Sequence, residues 1–278
     1  MKRCYNTEQM NHGVDDRLEA LRRLYDGYVD TYRLSDGTLP HMMQLKRAHT
    51  GFVVKNAALI ADEEAFGPLE RETALAAALL HDTGRYEQLR RYNTFRDSDS
   101  VDHAVFSHDI VKERGWLEEV GFERCDAILA AVLYHNRRDL PDGLDGVTLA
   151  ASQTVRDADK LDIFRVLQHE IETTDWRNDR RAFWNLSLEA PPNPEVVECI
   201  EAGCPVDYQA IKSLADFVLI QVGWMISGLY YGSSRRVCAE RGHLAYRRRF
   251  LHQLTDDPSV DLLCDHAERV LGKGGAGE

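Results

Sequence analysis

Apolar residues recur along this chain at the three-and-four spacing of a helix face, and alternating runs rich in Val, Ile or Thr are missing. That pattern leaves little room for sheet and implies an all-α fold. It predicts helices over 17–32, 41–62, 69–81, 99–114, 123–134 and 144–173, then over 194–202, 207–230, 233–240, 245–254 and 260–271. Gly115, Gly121, Gly203 and Gly242 stand just past apolar-periodic runs, where a left-handed helix end favours glycine. Pro141-Asp142-Gly143 is a turn signal. We read 1–278 as a single all-α domain, a helical bundle with its core over 41–185 and accessory C-terminal helices over 194–272 packed on it. The candidate linker is 186–194 (LSLEAPPNP), whose prolines forbid helix.

Charge and cysteine content narrow the function classes. Lys and Arg number 34 against 46 Asp and Glu, a net charge of −12, so no basic surface dominates and a stable nucleic-acid complex is not expected. The six cysteines are scattered, with no C-x-x-C pair, which reads as reduced thiols in a cytoplasmic protein. The longest apolar stretch, 217–231, is broken by Gly223 and Gly228 and too short for a bilayer, so no membrane partner is expected. A homo-oligomer is allowed. The basic cluster Arg235, Arg236, Arg241, Arg247, Arg248 and Arg249 reads first as a solvated or oligomer-facing surface, and second as a nucleotide-facing one beside Tyr230, Tyr231 and Tyr246.

Histidines and aspartates carry the chemistry. His49, His81-Asp82, His103, His135 and the group Asp157, Asp159, Asp162 stand in or at the ends of different helices. Imidazole and carboxylate together suit borderline divalent metals, and a bundle can assemble ligands from several helices. His81-Asp82 closes the run Ala74 to Leu80 (ALAAALL), small and apolar on every side. An unpaired carboxylate buried there costs several kcal/mol, which a metal ion offsets. Otherwise Asp82 caps the loop or pairs with Arg85. Asp159 lies on the margin of an apolar stripe and, taken alone, reads as solvated.

His49, then His81-Asp82 within LLHDTGR, then Asp159 within DADKLD, resembles the H…HD…D signature of the HD superfamily of metal-dependent phosphohydrolases. The resemblance covers roughly 46–167. It implies metal ligation by His49, His81, Asp82 and Asp159, with Asp82 and Asp159 serving catalysis. His103 and His135 fall where some HD families add two histidines, for a second metal or for phosphate. Asp159 is preferred over Asp157 because the family's aspartate precedes a basic and then an apolar residue. The implied cofactor is one or two divalent ions: Mn, Fe, Co, Ni, Zn or Mg.

The expected reaction is hydrolysis of a phosphate ester or anhydride in a small molecule, a nucleotide being the favoured case. No G-x-S-x-G elbow or P-loop offers another route, and Gly84 reads as a turn residue after the ligand helix. Arg85 and Lys160, which adjoin the motif residues, are the expected phosphate contacts. Two other functions remain open: a di-iron oxygenase on the same scaffold, and a nucleotide-binding regulator without turnover.

Overall fold

The computed structural model describes residues 7–178, 183 and 185–273. The fold is all-α; among the described residues the only extended pairing is an isolated bridge between Ser187 and Ser213. Contacts divide the chain into two compact units, 1–159 and 160–278.

The first unit holds α1 (Thr7–Asp30), α2 (His41–Glu63), α3 (Pro68–Leu80), α4 (Gly84–Tyr92), α5 (His103–Arg114), α6 (Trp116–Val120) and α7 (Cys125–Tyr134). It also takes the first half of α8 (Gly146–Thr173). Helix α3 is its centre, packed against α1, α2 and α7. Every residue from Glu72 to Leu80 is buried, as the unbroken small apolar run requires. Its start is well made: Pro68 opens the first turn, and Glu70 accepts the Gly67 amide at 3.0 Å. Helix α5 begins at the Asp102 cap and ends at Gly115, whose φ of 62° is the left-handed stop its sequence position predicts.

Helix α4 was not expected. The polar string GRYEQLRRY hides its inward face, which is Gly84, Tyr86, Glu87 and Gln88. Gly84 is therefore the first residue of a helix rather than a turn residue, and its reason for being glycine is steric. A Cβ there would lie 2.7 Å from the Ser107 amide nitrogen and 2.9 Å from the His103 carbonyl oxygen. That close approach, closed by Gly84 N donating to Ser107 Oγ at 2.8 Å, sets α5 against α4.

The second unit holds the rest of α8, then α9 (Pro194–Glu201), α10 (Leu214–Gly223), α11 (Gly232–Glu240), α12 (His243–Leu251) and α13 (Ser259–Lys273). The proline-rich stretch stays irregular until Asn193 caps α9 and Pro194 takes its first turn. The helix expected over 207–230 starts only at Leu214. Asp207 caps a separate short turn, Ser213 and Asp216 cap one another's backbone at the start of α10, and Trp224–Gly228 continues it as a wider π turn. The Arg cluster is not a uniform surface either. Arg247 is fully buried, while Arg248 reaches Asp265 and Arg236 pairs with Glu240 at 2.8 Å.

Candidate metal centre

Each candidate ligand sits where a helix begins, ends or faces inward. His49 is a buried position inside α2. Helix α3 stops at Leu80, so His81 and Asp82 occupy the turn into α4. His103 is the first residue of α5, His135 follows the last of α7, and Asp159 belongs to α8. His49, His81, Asp82, His103 and His135 are buried, and Asp159 is partly exposed.

The donor atoms of the six candidate ligands form two groups, one of His49, His81 and Asp159, the other of Asp82, His103 and His135, and a third group of Asp97, Asp102 and His103 shares His103 with the second. In the first, His49 Nε2 stands 3.1 Å from Asp159 Oδ1, and His81 Nε2 is 3.9 Å from the same oxygen. In the second, His103 Nε2 and His135 Nε2 are 3.0 Å apart. Asp82 lies between them. Its Oδ2 is 3.5 Å from His81 Nε2 and 3.7 Å from His49 Nε2. Its Oδ1 is 3.7 Å from His103 Nε2 and 3.9 Å from His135 Nε2. Asp157 belongs to none of these groups.

Hydrogen bonding fixes what these rings offer. His81 Nδ1 lies 2.8 Å from the Ala78 carbonyl oxygen, and His135 Nδ1 lies 2.7 Å from that of Val132. A carbonyl only accepts, so each Nδ1 carries the proton and each Nε2 is left with a lone pair. His103 Nδ1 donates to Asp97 Oδ2 in the same way. The buried His81 Nε2 makes no hydrogen bond. The His103 and His135 lone pairs face one another, which is repulsive unless a positive charge lies beside both. Imidazoles tied at Nδ1 and open at Nε2, next to two carboxylates, fit a divalent cation.

The electrostatics agree. Burial acts to raise the Asp82 carboxyl, but Lys46, His81 and Arg85 outweigh it and hold it well below the usual carboxylate range. Burial likewise opposes ionisation of Asp159, and His49 and His81 overcome it, keeping that group low. Burial lowers His103, and it lowers His135 to about 3 with help from its neighbours His103 and His81. The site therefore holds two ionised carboxylates beside His103 and His135 rings that burial keeps from taking up a further proton, a place that attracts a cation.

Further residues hold the second group in place. Asp102 caps α5 through the Ala104 and Val105 amides and accepts Asn136 Nδ2 at 3.1 Å and Arg137 Nη1 at 2.6 Å. Arg156 donates to the carbonyls of Tyr134 and Arg138 at 3.0 Å and to that of Arg137. Both contacts bracket His135.

The expected phosphate contacts both have partners within the protein. Arg85 Nε stands 3.5 Å from Asp82 Oδ1, but its Nη1 is committed to Gln88 Oε1 at 2.8 Å, Asp97 Oδ1 at 2.9 Å and the Phe95 carbonyl. Lys160 lies in the second unit, its ammonium 6.0 Å from the Tyr230 ring centre. The cation that sequence reasoning missed is Lys46, whose Nζ is 2.6 Å from Asp82 Oδ2 and 5.6 Å from the Phe95 ring centre. Its signal was present: it precedes His49 by three residues, hence shares its face of α2. Asp97 was missed too, one of three acidic residues in a polar loop.

Residues 47–163 match the HD domain family. That stretch is similar to an HD domain. Its helical frame and the His/Asp cluster agree with the metal site of that superfamily of metal-dependent phosphohydrolases. No curated protein and no solved structure matches the chain. Among the described residues no helix is long and apolar enough to cross a membrane.

Proposed function

We propose that this chain hydrolyses a phosphate ester or anhydride with a pair of divalent ions, His49, His81 and Asp159 holding one and His103 and His135 the other, with Asp82 shared. The observation that carries the reading is the placement of Asp82. One carboxylate oxygen faces the Nε2 atoms of His49 and His81, the other those of His103 and His135. Two-metal hydrolases space their ions about 3.5–4 Å apart, a span that one carboxylate bridges.

Divalent ions bound there supply Lewis acidity toward a phosphoryl oxygen and acidify water. The chain's own residues do the rest. Asp82 and Asp159 keep negative charge in the site at neutral pH, and the Nδ1 bonds of His81, His103 and His135 keep Nε2 directed inward. Lys46, with a fifth of its side chain exposed, is the cation placed to meet a substrate phosphate beside Asp82. Lys160, next to Asp159 in sequence, is a further candidate. A nucleotide is the substrate class we favour; for any phosphate substrate, transfer needs positioning and charge neutralisation more than a protein nucleophile.

The test is phosphate release by protein loaded with Mn or Co, screened against nucleotides, cyclic nucleotides and sugar phosphates. Turnover of a nucleotide supports the reading. Oxygen consumption by iron-loaded protein that leaves all phosphates intact would make it an oxygenase, and nucleotide binding without turnover would make it a regulator.

A further inference from the structure

His103 differs from the other two imidazoles whose Nδ1 partner is described. His81 and His135 follow helices, so each finds a carbonyl three residues back, Ala78 or Val132. No side-chain substitution removes those acceptors. His103 opens α5 and has no helical turn behind it. Its Nδ1 rests instead on a side chain, Asp97.

That side chain is itself fixed from α4. Asp97 Oδ1 accepts Arg85 Nη1 at 2.9 Å and Gln88 Nε2 at 3.0 Å. Arg85 Nη1 also reaches the Phe95 carbonyl, and the fully buried Gln88 donates to Ser100 Oγ at 2.8 Å and the Val101 carbonyl at 3.1 Å. Arg85 also approaches Asp82 and lies close enough to His103 to lower it; Asp97 and Gln88 have no described contact with His49, His81 or Asp159.

We propose that Asp97, held by Arg85 and Gln88, is a positioning residue for His103 and thereby sets occupancy of the second ion independently of the first. The proposal rests on the two-ion reading above. A carboxylate behind a ligating histidine fixes its ring and strengthens it as a donor, and losing one costs about 10–100-fold in metal affinity. The role of Arg85 follows from the same contacts. It acts through Asp97 rather than on substrate phosphate.

The experiment is Mn(II) titration of the full chain by calorimetry, with electron paramagnetic resonance at two equivalents. Wild type is expected to bind two ions and show a spin-coupled pair. Asp97→Asn is expected to keep the first affinity and the melting temperature of metal-free protein, to bind the second ion about 10–100-fold more weakly, and to show the uncoupled signal of a single site. Gln88→Met, which removes one of the two α4 contacts to Asp97 without touching its charge, should shift the second ion in the same direction by less, and it carries the test if Asp97→Asn does not fold. Two folded variants that bind both ions as wild type does would overturn the positioning role and leave the two-ion reading standing. A wild type that saturates at one ion would overturn both.

Discussion

Each unit buries a polar centre, and the two are opposite in sign. In the first, Asp82 and Asp159 lie among imidazoles, with Lys46 and Arg85 approaching Asp82 from its sides. What is left over is lone pairs, as at His81 Nε2. In the second, the buried charged side chains include the carboxylates Asp162 and Asp216, and the largest is Arg247. Its Nε and Nη2 donate to Gln221 Oε1 at 3.0 and 2.7 Å, and its other bonds go to the carbonyls of His243 and Phe164, both at 3.0 Å. The guanidinium lies 4.6 Å from the Phe164 ring centre, and among the described residues no carboxylate pairs with it. Burial drops Arg247 to about 9, still charged at neutral pH. The unanswered atom beside it is the Gln221 amide nitrogen, a donor. Burial of charge does not by itself mark a site. Convergent acceptors ask for a cation, whereas a guanidinium surrounded by neutral acceptors holds helices together.

The largest effect expected from that contrast is at Asp82. Asp82→Ala should lower metal-dependent hydrolysis on the order of 10³-fold or more, since it removes the carboxylate that faces both groups. It should also abolish the rise in melting temperature that added Mn gives wild type, while circular dichroism of metal-free protein stays helical. Near-normal turnover and metal stoichiometry in this variant would sink the ligand assignment.

Arg247→Met should act on stability alone. It strands the buried Gln221 Oε1 and two carbonyls, an expected loss of about 1–3 kcal/mol in urea unfolding, with the metal count per chain unchanged. A change in metal count would break the separation drawn between the two centres.

The smallest effect is a pH slope. Burial, with Arg247 and Arg241 nearby, lowers His243 to about 3, and Asp162 only partly opposes them. The unfolded imidazole titrates near pH 6.5, so below that value the unfolded state takes up the proton first. Stability is then complete above about pH 6.5 and is lost as pH falls toward the folded value, by up to about 1.4 kcal/mol per pH unit. His243→Gln should flatten the urea-midpoint profile between pH 7 and 5. An unchanged slope would place its source in other groups.

The sequence made His49, His81, Asp82 and Asp159 legible because their order and spacing are a motif, and His103 and His135 legible as histidines beyond it. The helical frame was legible from periodicity. What escaped was whatever depends on two segments meeting. GRYEQLRRY shows no apolar stripe, since α4 turns a glycine, a tyrosine and hydrogen-bonded polar groups inward. Asp97 could not be told from Asp99 or Asp102 until the loop brought it to His103 Nδ1. Arg247 is followed by two charged residues, Arg248 and Arg249, that reach the surface, and only the helix rotation that points it at Gln221 and Phe164 makes it a buried residue.

Gly84 and Gly143 show how differently one residue type constrains a lineage. At Gly143 the backbone holds φ +78° with open space around it, so asparagine or aspartate is a tolerable replacement. At Gly84 the φ is ordinary and the obstacle is the backbone of α5 itself, 2.7 Å from where any Cβ would sit. Side-chain repacking cannot relieve a clash with backbone atoms. In a saturation library, position 143 should accept a short polar alphabet and position 84 a single letter, and chains that drift at 84 must move the helix carrying His103 before they can keep the new residue.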